Sequence, residues 1–178
     1  MDTVRLCRPQ KFTDWVNLYK LYLLAFPAAE RKPWAMIRKM YRLGRTDIWC
    51  IVKDDRFAGL AITINSPDII LLDYFAVEKD RRGQGIGTAA LKALLAHYDG
   101  KGFFLEIEST LENVPDIAMR LRRKAFYLSC GLVPMNTTAT LFGVKMELLG
   151  NGCYLDYRGY KAFYREHYNA WAAEHITP

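Results

Sequence analysis

Histidine is scarce here, with 3 in 178 residues, and neither His97 nor His175 has a metal-ligand partner at useful spacing. An imidazole-based metal centre is therefore not expected. The 4 cysteines, Cys7, Cys50, Cys130 and Cys153, form no CxxC pair, so neither a zinc site nor a disulfide framework is expected. No apolar stretch is long enough to span a bilayer, and the opening "MDTVRLCRPQ" lacks the apolar core of a signal peptide. The expectation is a cytoplasmic protein with no membrane partner. There is no internal repeat, low-complexity tract or linker, and no GK[ST] follows the glycines near residue 85, which excludes a P-loop.

What is present suits one domain over residues 1–178, because 51% hydrophobic and 13% aromatic content can build a sizeable core. A net charge of +6 favours an anionic partner. The basic residues are spread along the chain and form no recognition-helix or RNA-binding signature, so a polyanionic cofactor explains them as well as nucleic acid would, and no nucleic acid is expected.

"VRLCRP" alternates as a strand, and Thr13 is placed to cap a helix through "DWVNLYKLYLLAF". "PWAMIRKMYRL" reads as a second helix closed by Gly44. "IWCIVKD", "FAGLAITIN" and "DIILLDYFAV", separated by "DDR" and "SPD", read as an antiparallel meander. Helix "TAALKALLAHY", strand "FFLEIES", helix "IAMRLRRKAFYLSCG" and one or two strands in "VPMNTTATLFGVKMELL" follow. Residues 155–176 read as a C-terminal helical extension, where Tyr160, Phe163, Tyr164, His167 and Trp171 recur at helical spacing. That stripe fits packing on the domain or on a second copy of the chain, which would make a homodimer. The fold class is mixed α/β of the α+β type.

The stretch "LLDYFAVEKDRRGQGIGTAALKALL" runs from an apolar strand through a glycine-rich loop into a helix. Gly85, Gly87 and Ala90 fit the GxGxxA dinucleotide fingerprint, with Glu106 where a ribose-binding acid would fall. Against that reading, "EKDRR" separates the strand from the glycines, a meander precedes it, and too little chain follows for a second nucleotide-binding half. The alternative is the spacing R/Q, x, x, G, x, G/A carried by Arg82, Gly85 and Gly87, in which glycines let successive N–H groups converge on a diphosphate at a helix N-terminus.

With that motif, the "YFAV" strand end and the "FYLSCGL" helix ending, the chain resembles the GNAT superfamily of acyl-CoA-dependent N-acetyltransferases over nearly its whole length. The resemblance implies a central, largely antiparallel twisted sheet with a splayed parallel strand pair and flanking helices. It also implies acetyl-CoA as cosubstrate, no metal, and an amine as acceptor. Phosphate donors would come from Arg82, Gly83, Gln84, Gly85, Ile86, Gly87 and Thr88, the last with its hydroxyl as well. Phe75, Ala76 and Val77 would hold the pantetheine arm as a neighbouring strand would, with the Val77 N–H at the thioester oxyanion.

Acyl transfer to an amine moves one proton off the ammonium and one onto the departing thiolate. Tyr127 matches the family tyrosine that protonates the thiolate; a core aromatic is the competing reading. The period of two in "FFLEIES" puts Glu106 and Glu108 on one face, where crowding and desolvation would suit one of them to act as base. Ion pairing with arginines such as Arg122 and Arg123 competes with that role. Asp73 is a third carboxylate, placed for the acceptor. Glu30 and Arg31, between the first two helices, are placed to meet the acceptor or to cap the second helix. Where many members carry an asparagine eight residues before the tyrosine this chain has Met119, which removes one expected pantetheine contact. A small-molecule acceptor is the leading expectation. The alternatives are a CoA-binding module without catalysis and a protein or peptide N-acetyltransferase.

Overall fold

The computed structural model describes residues 4–178, arranged as two compact units. The first comprises residues up to Asn65 together with Leu72–Asp99; the second comprises Ser66–Leu71 and residues from Gly100 on.

The first unit opens with β1 (Val4–Cys7), α1 (Phe12–Ala25) and α2 (Trp34–Arg42). The start of α1 differs from expectation, because Thr13 does not cap it. The Asp14 carboxylate accepts the backbone N–H groups of Gln10 and Lys11, each at 2.9 Å, so an acid inside the first turn satisfies the chain entering it. These bonds hold the Asp14 carboxyl below the usual range. Gly44 ends the second helix region with φ +70°, a conformation open to glycine.

Strands β2 (Thr46–Lys53), β3 (Arg56–Asn65) and β4 (Ile69–Val77) follow as the expected meander, with β1 added antiparallel at its edge. The β2–β3 turn holds Asp54 and Asp55 in the left-handed region, which short polar side chains tolerate. Gly59 on β3 is required by close approach, since a Cβ there would lie 2.4 Å from the Ala76 carbonyl oxygen and 3.2 Å from the Val77 Cα. Gly59→Ala should therefore destabilise by about 1–3 kcal/mol, the usual cost of overpacking against backbone, read as a lower urea midpoint at unchanged slope. Leu18, Tyr22, Ile48, Leu60, Ile62 and Tyr74 make the main core of this unit. Helix α3 (Ile86–His97) completes it, seating Ile86 and Ala90 with Ile51 and Ala58.

The second unit contains β5 (Gly102–Glu108), α4 (Ile117–Ser129), β6 (Val133–Leu141), β7 (Val144–Asn151), α5 (Tyr157–His167), α6 (Ala170–Glu174) and β8 (Ile176–Thr177). The first residues of β4 pair in parallel with β5, from Ile69↔Gly102 to Leu71↔Phe104. Strand β7 lies antiparallel to β5, with Glu106 opposite Leu148 and Glu108 opposite Met146. Strand β6 pairs with β7, so "VPMNTTATLFGVKMELL" is a two-stranded hairpin. The extension from residue 155 is helical through α5 and α6, but its last residues form β8 on the free edge of β6. Among the described residues the strand order is β1-β2-β3-β4-β5-β7-β6-β8, mostly antiparallel with β4–β5 the parallel pair. This is the mixed α/β class read from the sequence. Among the described residues no helix is long and apolar enough to cross a membrane, and Cys50 and Cys130 are buried while Cys7 and Cys153 are half-buried.

Candidate active site

In the first unit, β4 delivers Phe75, Ala76 and Val77 to a short 3-10 turn over Lys79–Arg81, after which the glycine loop enters α3. Gly83 and Gly85 take φ +75° and +73°, and Gly85 is the N-cap of α3 in the left-handed region. A Cβ at either glycine would meet nothing within 4 Å, so glycine is chosen here for backbone conformation and for the open space in front of it. Residues Arg82 to Gly85 are exposed, whereas Ile86 is buried and pins the helix start. The first N–H groups of a helix have no partner inside it, which leaves those of Ile86, Gly87 and Thr88 at the mouth of the loop. Left-handed glycines leading into orphan helix donors form a concave anion cradle, and the residues present therefore fit a CoA diphosphate. The Arg82 Nε donates to the Val77 carbonyl at 3.2 Å, tying the loop to the end of β4, and Arg81 lies 3.6 Å from Glu78.

The same unit holds Asp73 in an ion pair. The Lys32 Nζ lies 2.6 and 2.7 Å from the two carboxylate oxygens, with the Asp73 side chain 7% exposed. Lys32 is fixed there by its backbone, whose N–H donates to the Tyr74 hydroxyl at 3.1 Å and whose carbonyl accepts from Tyr22 at 3.0 Å. The Tyr74 hydroxyl donates in turn to the Glu30 carbonyl at 2.8 Å. The segment containing Glu30 and Arg31 is thus stitched to β4 through backbone atoms, while Pro33 occupies the N-cap of α2 without a side-chain capping bond.

In the second unit, β5 carries the two glutamates and they take different partners. Glu108 is bound by Arg120 at 3.2 Å and Arg123 at 3.1 Å, both from α4; Arg122 is not among these partners. Arg120 also reaches Asp116 and the Ser109 carbonyl, so it is held before it meets Glu108. Glu106 accepts the hydroxyls of Tyr160 at 2.8 Å and Tyr164 at 2.6 Å, both from α5. Tyr127 lies half-buried on α4 beside Phe126, where desolvation pushes its phenol up to about 12 against a smaller opposing effect of Arg123. It remains a protonated donor at neutral pH. Met119, at the position of the missing asparagine, is exposed.

Helical spacing marks the two tyrosines of α5 as packing residues, and the structure adds a polar role through their hydroxyls. The signal was available in their spacing of four, which puts two hydroxyls on one helix face. A further carboxylate, Glu147, is buried, which alone would raise its pKa. Lys124 and Thr110 donate to it and hold it below the usual range. Among the described residues no group of three or more His, Cys, Asp or Glu could hold a metal ion.

The chain's overall architecture is shared with solved acetyltransferases. A GNAT-family protein from Bacteroides thetaiotaomicron is similar over 94% of this chain and 98% of its own, with a TM-score of 0.79 and 19% identity. A Bacillus subtilis acetyltransferase solved with CoA is similar over 84% of this chain and 97% of its own, at TM-score 0.59 and 14% identity. The ribosomal-protein-S18-alanine N-acetyltransferase from Escherichia coli is similar over 87% and 96%, at TM-score 0.58 and 19% identity. No curated protein matches the chain at a significant level. At sequence level, residues 15–126 match the family described as Acetyltransferase (GNAT) family, a span running from α1 through the glycine loop and β5 into α4. The chain belongs to the GNAT family of acyl-CoA-dependent acetyltransferases.

Proposed function

We propose that the chain moves an acetyl group from acetyl-CoA to a primary amine of a small-molecule acceptor, by direct attack within a ternary complex. In this reading residues 1–178 are one N-acetyltransferase domain and 155–176 its helical extension. The observation that carries it is the open, left-handed glycine loop feeding the N-terminus of α3.

Arg82, Gly83, Gln84, Gly85, Ile86, Gly87 and Thr88 hold the diphosphate, through backbone donors, the helix dipole and the Arg82 charge. Phe75, Ala76 and Val77 hold the pantetheine arm, and the Val77 N–H steadies the charge that develops on the carbonyl oxygen. Acetyl-CoA supplies an activated acyl group whose carbon–sulfur bond breaks as a carbon–nitrogen bond forms. Tyr127 gives its proton to the departing sulfur, and its high pKa keeps that proton available. Glu106 and Glu108 handle the acceptor ammonium and its proton, and Asp73, Glu30 and Arg31 border the acceptor. The carboxylates suit a cationic amine, and the ion pairs of Asp73 and Glu108 and the hydrogen bonds to Glu106 fix their orientation before it arrives.

The test is acetyl-CoA turnover against polyamines, amino acids, aminoglycosides and short peptides, followed as CoA thiol release. Turnover with a small amine supports the reading. Turnover confined to peptides moves the acceptor to the protein class. Tight CoA binding without turnover of any amine contradicts catalysis.

A further inference from the structure

We infer that Tyr160 and Tyr164 are positioning residues that fix Glu106 as a standing carboxylate, so that Glu106 anchors the acceptor ammonium while its proton leaves by another group. This rests on the proposed reading of Glu106 as a site residue. It makes α5, which lies beyond the residues matched by the family, part of the working site.

Glu106 shares its face of β5 with buried Phe104, and the residue opposite it on β7 is buried Leu148. Such surroundings favour a neutral carboxyl, and an apolar residue would be the cheaper occupant. Instead α5 places two phenols on one oxygen. Tyr160 and Tyr164 are 0% and 2% exposed, their rings meet edge-on at 5.2 Å, and both hydroxyls donate to the Glu106 Oε1. Short O–H···O bonds to a carboxylate stabilise its charged form and fix its plane. The helix is itself held to the strand, because Phe163 meets Phe104 edge-on at 5.1 Å and His167 packs on Phe163 at 4.5 Å. The other acid of this strand face, Glu108, is bound by Arg120 and Arg123 of α4. From α5 the two phenols meet Glu106, and on β7 its register partner is Leu148. Two buried donors aimed at one carboxylate oxygen favour its ionised form, which suits an anchor better than a proton-exchanging base.

The experiment is a carbon-detected titration of the whole chain carrying 13C-carboxyl glutamate, with the Glu106 signal identified by its loss in Glu106→Gln. Removing one hydrogen bond to a charged group should raise the Glu106 midpoint by about one pH unit, and removing both by about two. Tyr160→Phe and Tyr164→Phe keep the rings, so packing should survive. Should the double variant fail to fold, Tyr164→Phe alone must still give the one-unit step. A midpoint that moves by less than about 0.3 units in every folded variant, well below the loss of one such bond, overturns the inference. The site role fails separately: Glu106→Gln would then acetylate the best amine of the panel at the normal rate, whatever the tyrosine titration shows.

Discussion

Tyr127→Phe is expected to lower kcat by about 10²-fold while leaving the affinity for acetyl-CoA and the melting temperature close to those of the parent chain. The substitution keeps the half-buried ring beside Phe126 and removes only the hydroxyl. A phenol pushed up to about 12 by desolvation carries its proton throughout the neutral range, so it can act as an acid without a preceding protonation step. Without it the thiolate must take a proton from water, and the barrier rises. The loss should appear equally in kcat and kcat/KM, because an acid acts in the transition state and adds little to ground-state binding. An unchanged kcat, measured where chemistry limits the rate, would make Tyr127 a packing residue only.

Gly85→Val should abolish measurable acetyl-CoA binding, a loss of at least about 10²-fold, for two reasons that act together. The residue sits at φ +73°, where a β-branched side chain is strained, and relieving the strain rotates the donors of the loop away from a common point. The new side chain would also fill space that is open in the parent, since nothing lies within 4 Å of its Cβ. That space is where the diphosphate would approach the backbone. Calorimetry reads the loss directly, and a thermal melt shows whether the exposed loop has altered the core, which it should not. Unchanged affinity would refute the phosphate-loop assignment. Gly83, at φ +75° with equally open space, should behave in the same way and provides a second test.

The glycine loop was legible in the sequence because its chemistry is local. Left-handed turns need glycine, the helix start needs an apolar anchor, and both lie within a few residues of the motif. The meander was legible for the same reason, since period-two runs were separated by turn residues. Helix caps were less so: Thr13 has the usual capping chemistry, but Asp14 one residue on reaches two backbone donors, and only the path of the entering chain decides between them. Strand β8 was missed because a two-residue strand has no period; its identity comes from the edge of β6 it meets.

The partners of the β5 carboxylates were legible only in part. Spacing puts Glu106 and Glu108 on one strand face, with pairing to Arg122 and Arg123 of the following helix as the reading that competes with a base; Arg123 meets Glu108. Which arginines depends on the rotation of α4, which presents Arg120 and Arg123 and not Arg122. The Tyr160 and Tyr164 contacts span 54 and 58 residues in sequence, a separation that no local pattern encodes. The Lys32–Asp73 pair spans 41 and was hidden for the same reason.

Transfer of the acetyl group separates an acetyltransferase from a chain that merely binds the nucleotide carrying it. The most direct measurement is to supply acetyl-CoA labelled with 13C at the acetyl carbonyl, together with the amine panel, and to follow the label by NMR and mass spectrometry. Label is expected in an amide of a small amine, with one CoA thiol released for each amide formed and both rates reduced together in Tyr127→Phe. Label that stays on the thioester while the chain binds acetyl-CoA, with no amide in any amine tested, would contradict transfer.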